Sequence, residues 1–243
     1  SNEQHGFARA TLYSLLINIM CQLIVVFIQN SKRKWKDIAK ELAFVLVLAK
    51  NGVDSYRVIS DYEQFEGTAM DPKAEWAFIK SVELFTEAIP GTLIQMYAFF
   101  KGSDQSSAAI FSLATSVVTA AFTSTAVSYD MDKDRFSRAH TPRFFGYVPD
   151  KISTQAAVVL ALFVMSATQL VTKCFACTLL AVSSMTALVA LIAIETAAYL
   201  AYKLARQDFQ YWLPIPGIAG VILSGAIRSI VKVIVDFTAC AQM

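Results

Sequence analysis

Charged and amide side chains interrupt an apolar stretch at residues 80–100, which reads KSVELFTEAIPGTLIQMYAFF. Lys80, Glu83 and Glu87 are spaced three and four residues apart, and Gln95 lies eight residues beyond Glu87. An α-helix would place all four on one face, with Lys80 close enough to pair with Glu83. Ionisable groups inside a bilayer cost about 2.5–3.5 kcal/mol each, so they are expected to face protein or a wet cavity. The spacing predicts a polar groove lined by this helix, or an ion-pair network that serves assembly alone.

Pro90, followed by Gly91, stands in the middle of the same stretch. Proline removes one backbone donor and kinks a helix. Membrane helices tolerate such a break where neighbouring groups satisfy the freed carbonyl. The sequence therefore predicts a proline-kinked polar helix over about 74–100.

The last apolar segment, residues 213–239, carries Arg228, Lys232 and Asp236 at spacings of four residues. They share one helical face, which makes Arg228 a candidate partner for the carboxylates Glu83 and Glu87. The alternative is an amphipathic helix at the membrane surface, with its charges in solvent.

Glu195, in the run LIAIETAAYL, is a third isolated carboxylate among apolar residues, with Arg57 or Lys173 as candidate partners. The candidates for an intramembrane polar groove or ion-pair network are therefore Lys80, Glu83, Glu87, Pro90, Gln95, Glu195, Arg228, Lys232 and Asp236. These groups bind and orient polar molecules without covalent chemistry, so the sequence predicts a protein that is not an enzyme.

Other patterns that could hold a metal or a nucleophile are incomplete. Asp130, Asp132 and Asp134 have the spacing of a calcium loop, but Arg135 replaces the required glycine and Thr141 the bidentate glutamate. Cys174 and Cys177 lie in an apolar run and are predicted to be packing residues, while His5 and His140 are isolated. We expect no metal site and no cofactor other than bound lipids.

Composition places these residues in a membrane protein. The chain has 243 residues, of which 56% are hydrophobic and 16% charged, against about a quarter charged in soluble domains. Its mean hydropathy is +0.49 and its apolar residues come in long runs. The fold class predicted is an all-α, polytopic bundle of transmembrane helices in a multi-pass integral membrane protein. A net charge of +2 gives no indication of nucleic-acid binding.

Six or seven membrane segments are expected, one or two of them re-entrant. The predicted spans are about 8–29, 74–100, 107–128, 153–172, 174–202 with a break near Ser183 and Ser184, and 213–239. Residues 41–50 are too short to cross, and residues 51–76 form the longest polar stretch. The basic cluster Lys32, Arg33, Lys34, Lys36 and Lys40 follows the first span and predicts a cytoplasmic loop there.

One integral membrane domain over 1–243 accounts for this pattern, since no separate soluble domain is evident. The chain begins at Ser1 without an initiator methionine, which is expected of a processed form or of the ordered part of a longer chain.

The stretch VELFTEAIPGTLIQMYAFF resembles the E-x-x-P-Q-x-x-x-Q-x-Y helix of the XK-related membrane proteins, some of which are phospholipid scramblases. The match falls on Glu87, Pro90, Gln95 and Tyr97, while Gly91 replaces the first glutamine of the motif. The serine-rich span that follows is also similar, and the resemblance covers about residues 35–205.

The resemblance implies a lipid-handling, scramblase-like protein in which a polar track carries headgroups across hydrocarbon. Glu83, Glu87, Gln95 and a basic partner such as Arg228 would line that track, and membrane lipids would be the partners. One alternative is a structural or accessory subunit that binds other membrane subunits or a second copy of itself. Another is an ion or small-solute channel that uses Glu83, Glu87 and Glu195.

Overall fold

A computed structural model describes residues 2–102, 105–133, 146, 148–149, 151–206 and 218–238. Within these ranges every regular element is a helix, as the composition predicted. The elements are α1 (Asn2–Gln29), α2 (Trp35–Leu46), α3 (Lys50–Ile59), α4 (Pro72–Glu83), a π-helical turn (Leu84–Ala88), α5 (Ile89–Phe100), α6 (Ser107–Lys133), α7 (Ile152–Ser183), α8 (Met185–Ala205) and α9 (Ile218–Phe237). The expectations for Asp134, Arg135, His140 and Thr141 concern positions outside the described residues.

Four helices are long and apolar enough to cross a membrane. They contain the candidate spans His5–Gln29, Ser107–Asp130, Ile152–Ser183 and Met185–Ala205. By length and composition, these spans support the predicted multi-pass membrane protein.

The predicted boundary between the two spans near residue 173 is wrong, because α7 continues through that position to Ser183. The helix ends at Ser184, whose extended backbone separates α7 from α8, so the predicted break is confirmed. The Ser184 hydroxyl accepts a hydrogen bond from the N–H of Ala187 at 3.2 Å and caps α8. An apolar run long enough for two spans is thus divided by a capping serine.

The segment 41–76 is more helical than its polar composition indicated. Helices α2 and α3 meet at a tight corner where Leu48 has a φ of 58°. The N–H groups of Val47, Leu48 and Ala49 bond back to carbonyls of α2, which completes the turn. Helix α3 was not predicted, because its apolar residues are few and its polar residues find partners in the fold rather than in the local sequence.

Helices α4 and α5 form one helical rod with a widened turn in its middle. In the π turn the N–H of Ile89 bonds to the carbonyl of Leu84, five residues earlier. Pro90, near the start of α5, cannot donate to Thr86 four residues before it. The Ser14 hydroxyl of α1 donates to that Thr86 carbonyl at 2.5 Å. The predicted polar proline helix is therefore present, and its irregular turn lies just before the proline.

Two apolar clusters hold the helices together. The larger surrounds Leu84, Met96 and Leu170, and the smaller joins Val26 of α1, Val45 of α2 and Ile79 of α4. Cys174 and Cys177 are buried in the larger cluster, which confirms their predicted role in packing. The end of α1 meets the start of α4, since Ala69 N–H bonds to Gln29 O. The rings of Phe7 and Tyr97 meet at the opposite end, so α1 runs antiparallel to the α4–α5 rod.

Candidate functional site

Glu87 lies in the π turn and faces α1. Its Oε2 accepts a hydrogen bond from Asn18 Nδ2 at 2.5 Å. The Asn18 Oδ1 in turn accepts from Gln22 Nε2 at 3.0 Å and from the Thr86 hydroxyl at 3.2 Å. Asn18 of α1 therefore holds the Glu87 carboxylate in place, and it does so with a neutral amide rather than a cation.

A polar stripe on α1 was not predicted from the sequence. Ser14, Asn18, Gln22 and Gln29 are all buried, with exposed fractions of 7%, 4%, 7% and 1%. Their spacings of four, four and seven residues put them on one helical face. That spacing is a signal that could have identified them, since a lipid-facing stripe would be apolar.

Glu83 is held from two sides. Lys80 Nζ lies 2.7 Å from its Oε2, which confirms the predicted pair. Asn51 Nδ2 of α3 donates to the same oxygen at 3.0 Å. Glu83 therefore joins α4 to the corner between α2 and α3.

A fully buried lysine stands at the centre of a second group of charges, which we name the Lys50 network. The Nζ of Lys50 lies 2.9 Å from a carboxylate oxygen of Glu41, 2.7 Å from Asp54 and 2.7 Å from Glu75. Arg57 adds a second cation, with Nη2 at 2.5 Å from Glu41. The network joins α2, α3 and α4, and the sequence analysis did not identify it as a site. Arg57 had been a candidate partner of Glu195, and that pairing is wrong.

The three carboxylates of the Lys50 network lie close enough together to hold a metal ion, with oxygen atoms within 4.8 Å of one another. The lysine ammonium already contacts all three, so it supplies the positive charge that an ion would supply. Burial raises the pKa of Asp54 to about 6, although Lys50 opposes the shift. Burial also opposes ionisation of Glu41, but the hydrogen bond from Arg57 holds its pKa below the usual value.

A cavity of about 170 Å³ lies between the Lys50 network and the π turn. We name it the Glu87 cavity; its walls are Leu15, Asn18, Ile19, Gln22, Leu48, Lys50, Asn51, Glu83 and Glu87. Its polar wall comes from α1, α3 and the α4–π segment, and Leu48 adds the corner after α2. Glu87 of the π turn and Lys50 of the network therefore line the same cavity.

A separate group of charges links α7, α8 and α9. Lys173 Nζ lies 3.2 Å from Glu195 Oε2, which confirms the second of the two predicted partners of Glu195. Lys232 Nζ lies 3.9 Å from the same carboxylate and also pairs with Asp236, one turn along α9. We name this group the Lys173 quartet: Lys173, Glu195, Lys232 and Asp236.

An open cleft of about 500 Å³ adjoins the Lys173 quartet. This α7–α9 cleft is lined by Met165, Thr168, Gln169, Thr172, Lys173, Ala176 and Asp236. Gln169 Nε2 donates to the carbonyl of Val235 at 2.9 Å and so ties α7 to the end of α9. The wall of the α7–α9 cleft therefore combines apolar and polar side chains.

The predicted polar residues do not share a single groove. Gln95 accepts from the Ser116 hydroxyl of α6 at 3.2 Å, whereas Glu83 and Glu87 face α3 and α1. A regular helix already turns residues eight positions apart by about 80° from each other, so Glu87 and Gln95 can contact different neighbours. Arg228 is buried on α9, and its proposed pairing with Glu87 or Glu83 stays a prediction.

Asp132, from the incomplete calcium pattern, binds backbone instead. It is fully buried and accepts the N–H groups of Gly146 and Val148, each at 2.8 Å. The carboxylate therefore anchors the chain that follows α6.

Comparison with known protein families, with characterised proteins and with solved structures finds no match to this chain.

Proposed function

We propose that this protein moves lipid headgroups across a membrane along the α7–α9 cleft. The observation that carries the proposal is the Lys173 quartet, whose charges meet beside an open cleft. Two of its three helices, α7 and α8, are apolar enough to span a bilayer. Glu195 stands near the middle of α8, where a charge in hydrocarbon is costly and is expected to serve function. The likeness of residues 80–100 to the XK-related proteins also implies lipid transfer, but it would place the polar track along Glu83, Glu87 and Gln95 rather than along this cleft.

The chemistry of the cleft suits a zwitterionic headgroup. Lys173 and Asp236 line the cleft, and Glu195 and Lys232 lie next to them. The ammonium groups of this quartet can bind a phosphate, and its carboxylates can bind an amine. Lys173 and Glu195 are only partly buried, so their charges remain accessible. The apolar wall from Met165 and Ala176 suits acyl chains that stay in hydrocarbon while the headgroup moves.

Neutralising the Lys173–Glu195 pair is expected to slow lipid transfer about tenfold or more, since both headgroup charges lose a partner. The protein would be reconstituted in liposomes, and the exposure of a fluorescent phospholipid measured for wild type and for Lys173→Met with Glu195→Gln. The matched control is Lys80→Met with Glu83→Gln, which neutralises a pair in the Glu87 cavity. We expect the control to transfer lipid at the wild-type rate. No transfer by folded wild type, or equal loss in both variants, would contradict the proposal.

A role as a structural or accessory subunit is the second candidate. It is favoured by α8, which buries none of its residues within the described part of the chain. A helix that exposes many apolar side chains can pack against another subunit as well as against lipid. Absence of lipid transfer by folded protein would make this function the better supported one.

For the topology, we propose six crossing helices and one re-entrant hairpin. The crossings are α1, the α4–α5 rod, α6, α7, α8 and α9, and the hairpin is α2–α3. The hairpin is supported by its corner: Leu48 shares the Glu87 cavity with Leu15 and Ile19, near the middle of the span His5–Gln29. Leu46, Val47 and Leu48 are exposed by 63–69%, as suits side chains that contact lipid.

A re-entrant hairpin predicts that a cysteine at Val47 resists a charged, membrane-impermeant maleimide from either side. A cysteine at Lys36, within the basic cluster, should react from the cytoplasmic side. Both would be introduced into a variant with Cys21, Cys174, Cys177 and Cys240 replaced. Rapid aqueous labelling at Val47 would show that the hairpin lies outside the bilayer.

A further inference from the structure

We propose that the Glu87 cavity binds a monovalent metal cation of about the size of Na⁺, with the Glu87 carboxylate and the side-chain oxygen of Asn51 among its ligands. This goes beyond the proposed lipid transfer, which uses the other cleft. Three features of the cavity carry the proposal: its charge, an acceptor without a donor, and its size.

The first feature is one uncompensated carboxylate. Glu83 is neutralised by Lys80 at 2.7 Å. Lys50 also lines the cavity, but its ammonium is surrounded by three carboxylates within 2.9 Å. Glu87 has only the Asn18 amide as its described partner, and an amide lowers but does not cancel the cost of a partly buried charge. A single positive charge at this place would balance it.

The second feature is a buried oxygen without a donor. Asn51 lines the cavity and uses its Nδ2 to bond Glu83, but its Oδ1 is buried and has no hydrogen-bond partner in the described part of the chain. Such an acceptor costs free energy unless water or a cation binds it. Carboxylate and amide oxygens are the ligands preferred by hard cations, and soft metals would require thiolate or imidazole.

The size of the cavity permits a partly hydrated ion. A volume of about 170 Å³ exceeds the space taken by one water molecule, about 30 Å³ in the liquid. An ion could therefore keep several waters while it binds the side-chain oxygens. Glu87 is the one carboxylate on the described cavity wall that no described cation contacts, so a monovalent ion balances the local charge.

The test is thermal unfolding of the purified protein in NaCl, KCl or N-methyl-D-glucamine chloride, at constant ionic strength and pH. A ligand that binds the folded state raises its stability with concentration. We expect NaCl to raise the melting temperature by several degrees over N-methyl-D-glucamine chloride, and Glu87→Gln to abolish that rise. The matched control is Glu195→Gln, which removes a carboxylate from the Lys173 quartet and should retain the rise.

A direct measurement covers the case in which Glu87→Gln does not fold. Binding of ²²Na⁺ to the wild-type protein should be saturable and displaced by excess unlabelled NaCl. Absence of displaceable ²²Na⁺ would overturn the proposal, as would an NaCl effect of equal size in wild type and folded Glu87→Gln. Stabilisation by KCl alone, or by lowered pH without any response to NaCl, would overturn it as well, since a larger ion or a proton would then neutralise Glu87.

Discussion

Replacing Lys50 by methionine is expected to lower the free energy of unfolding by about 3–5 kcal/mol, the usual cost of removing one partner from a buried ion pair. The variant leaves Glu41, Asp54 and Glu75 buried close together, with Arg57 as the remaining cation within the network. Three carboxylates then repel one another where water cannot screen them. The quantity to measure is the SDS concentration at half-unfolding in mixed micelles, with the slope of the transition.

The matched control for this prediction is Lys73→Met. Lys73 pairs with Asp61 at 3.3 Å, but the two side chains are 63% and 87% exposed. An exposed pair contributes about 0–1 kcal/mol, so the control should unfold close to wild type. Adding Glu75→Gln to Lys50→Met should recover part of the loss, because it removes one of the unpaired charges. Equal unfolding midpoints for Lys50→Met and Lys73→Met would show that the Lys50 network contributes little to stability.

Replacing Asn18 by aspartate is expected to cost about 2–3 kcal/mol. Asn18 Nδ2 lies 2.5 Å from Glu87, and the substitution exchanges that donor for a second acceptor that carries negative charge. A buried acceptor that loses its donor costs about 1–3 kcal/mol, and the like charge adds repulsion. The effect should be larger at neutral pH than at low pH, where one carboxyl binds a proton. Thermal unfolding in detergent at both pH values measures it.

A reciprocal exchange separates the hydrogen bond from general damage at this position. The double variant Asn18→Asp with Glu87→Gln places a donor on the π turn and an acceptor on α1. It should recover most of the stability lost in Asn18→Asp, and the interaction energy follows from a double-mutant cycle. Additive losses in the double variant would mean that Asn18 and Glu87 do not stabilise the fold through their contact.

Several features follow from the sequence because their physical causes are local. Four runs of apolar residues predict membrane-length helices, since about 20 such residues are enough to cross a bilayer. Lys80 and Glu83 pair at the distance expected from a spacing of three residues. The break at Ser184 is also local, because a serine hydroxyl caps the helix that follows it. Each of these depends on one continuous stretch of the chain.

Only the tertiary structure decided which polar groups meet. Lys50 gathers Glu41 and Glu75, which lie nine and 25 residues away along the chain, on two other helices. Asn18 meets Glu87 across 69 residues. No helical spacing connects such positions, because the contact depends on how α1, α2 and the α4–α5 rod pack. Even within the α4–α5 rod, Gln95 contacts α6 whereas Glu87 contacts α1. The hydropathy of the sequence therefore determined which helices can cross a membrane. The packing of the helices determined which charged residues form sites, because a buried charge must find a partner wherever the fold supplies one.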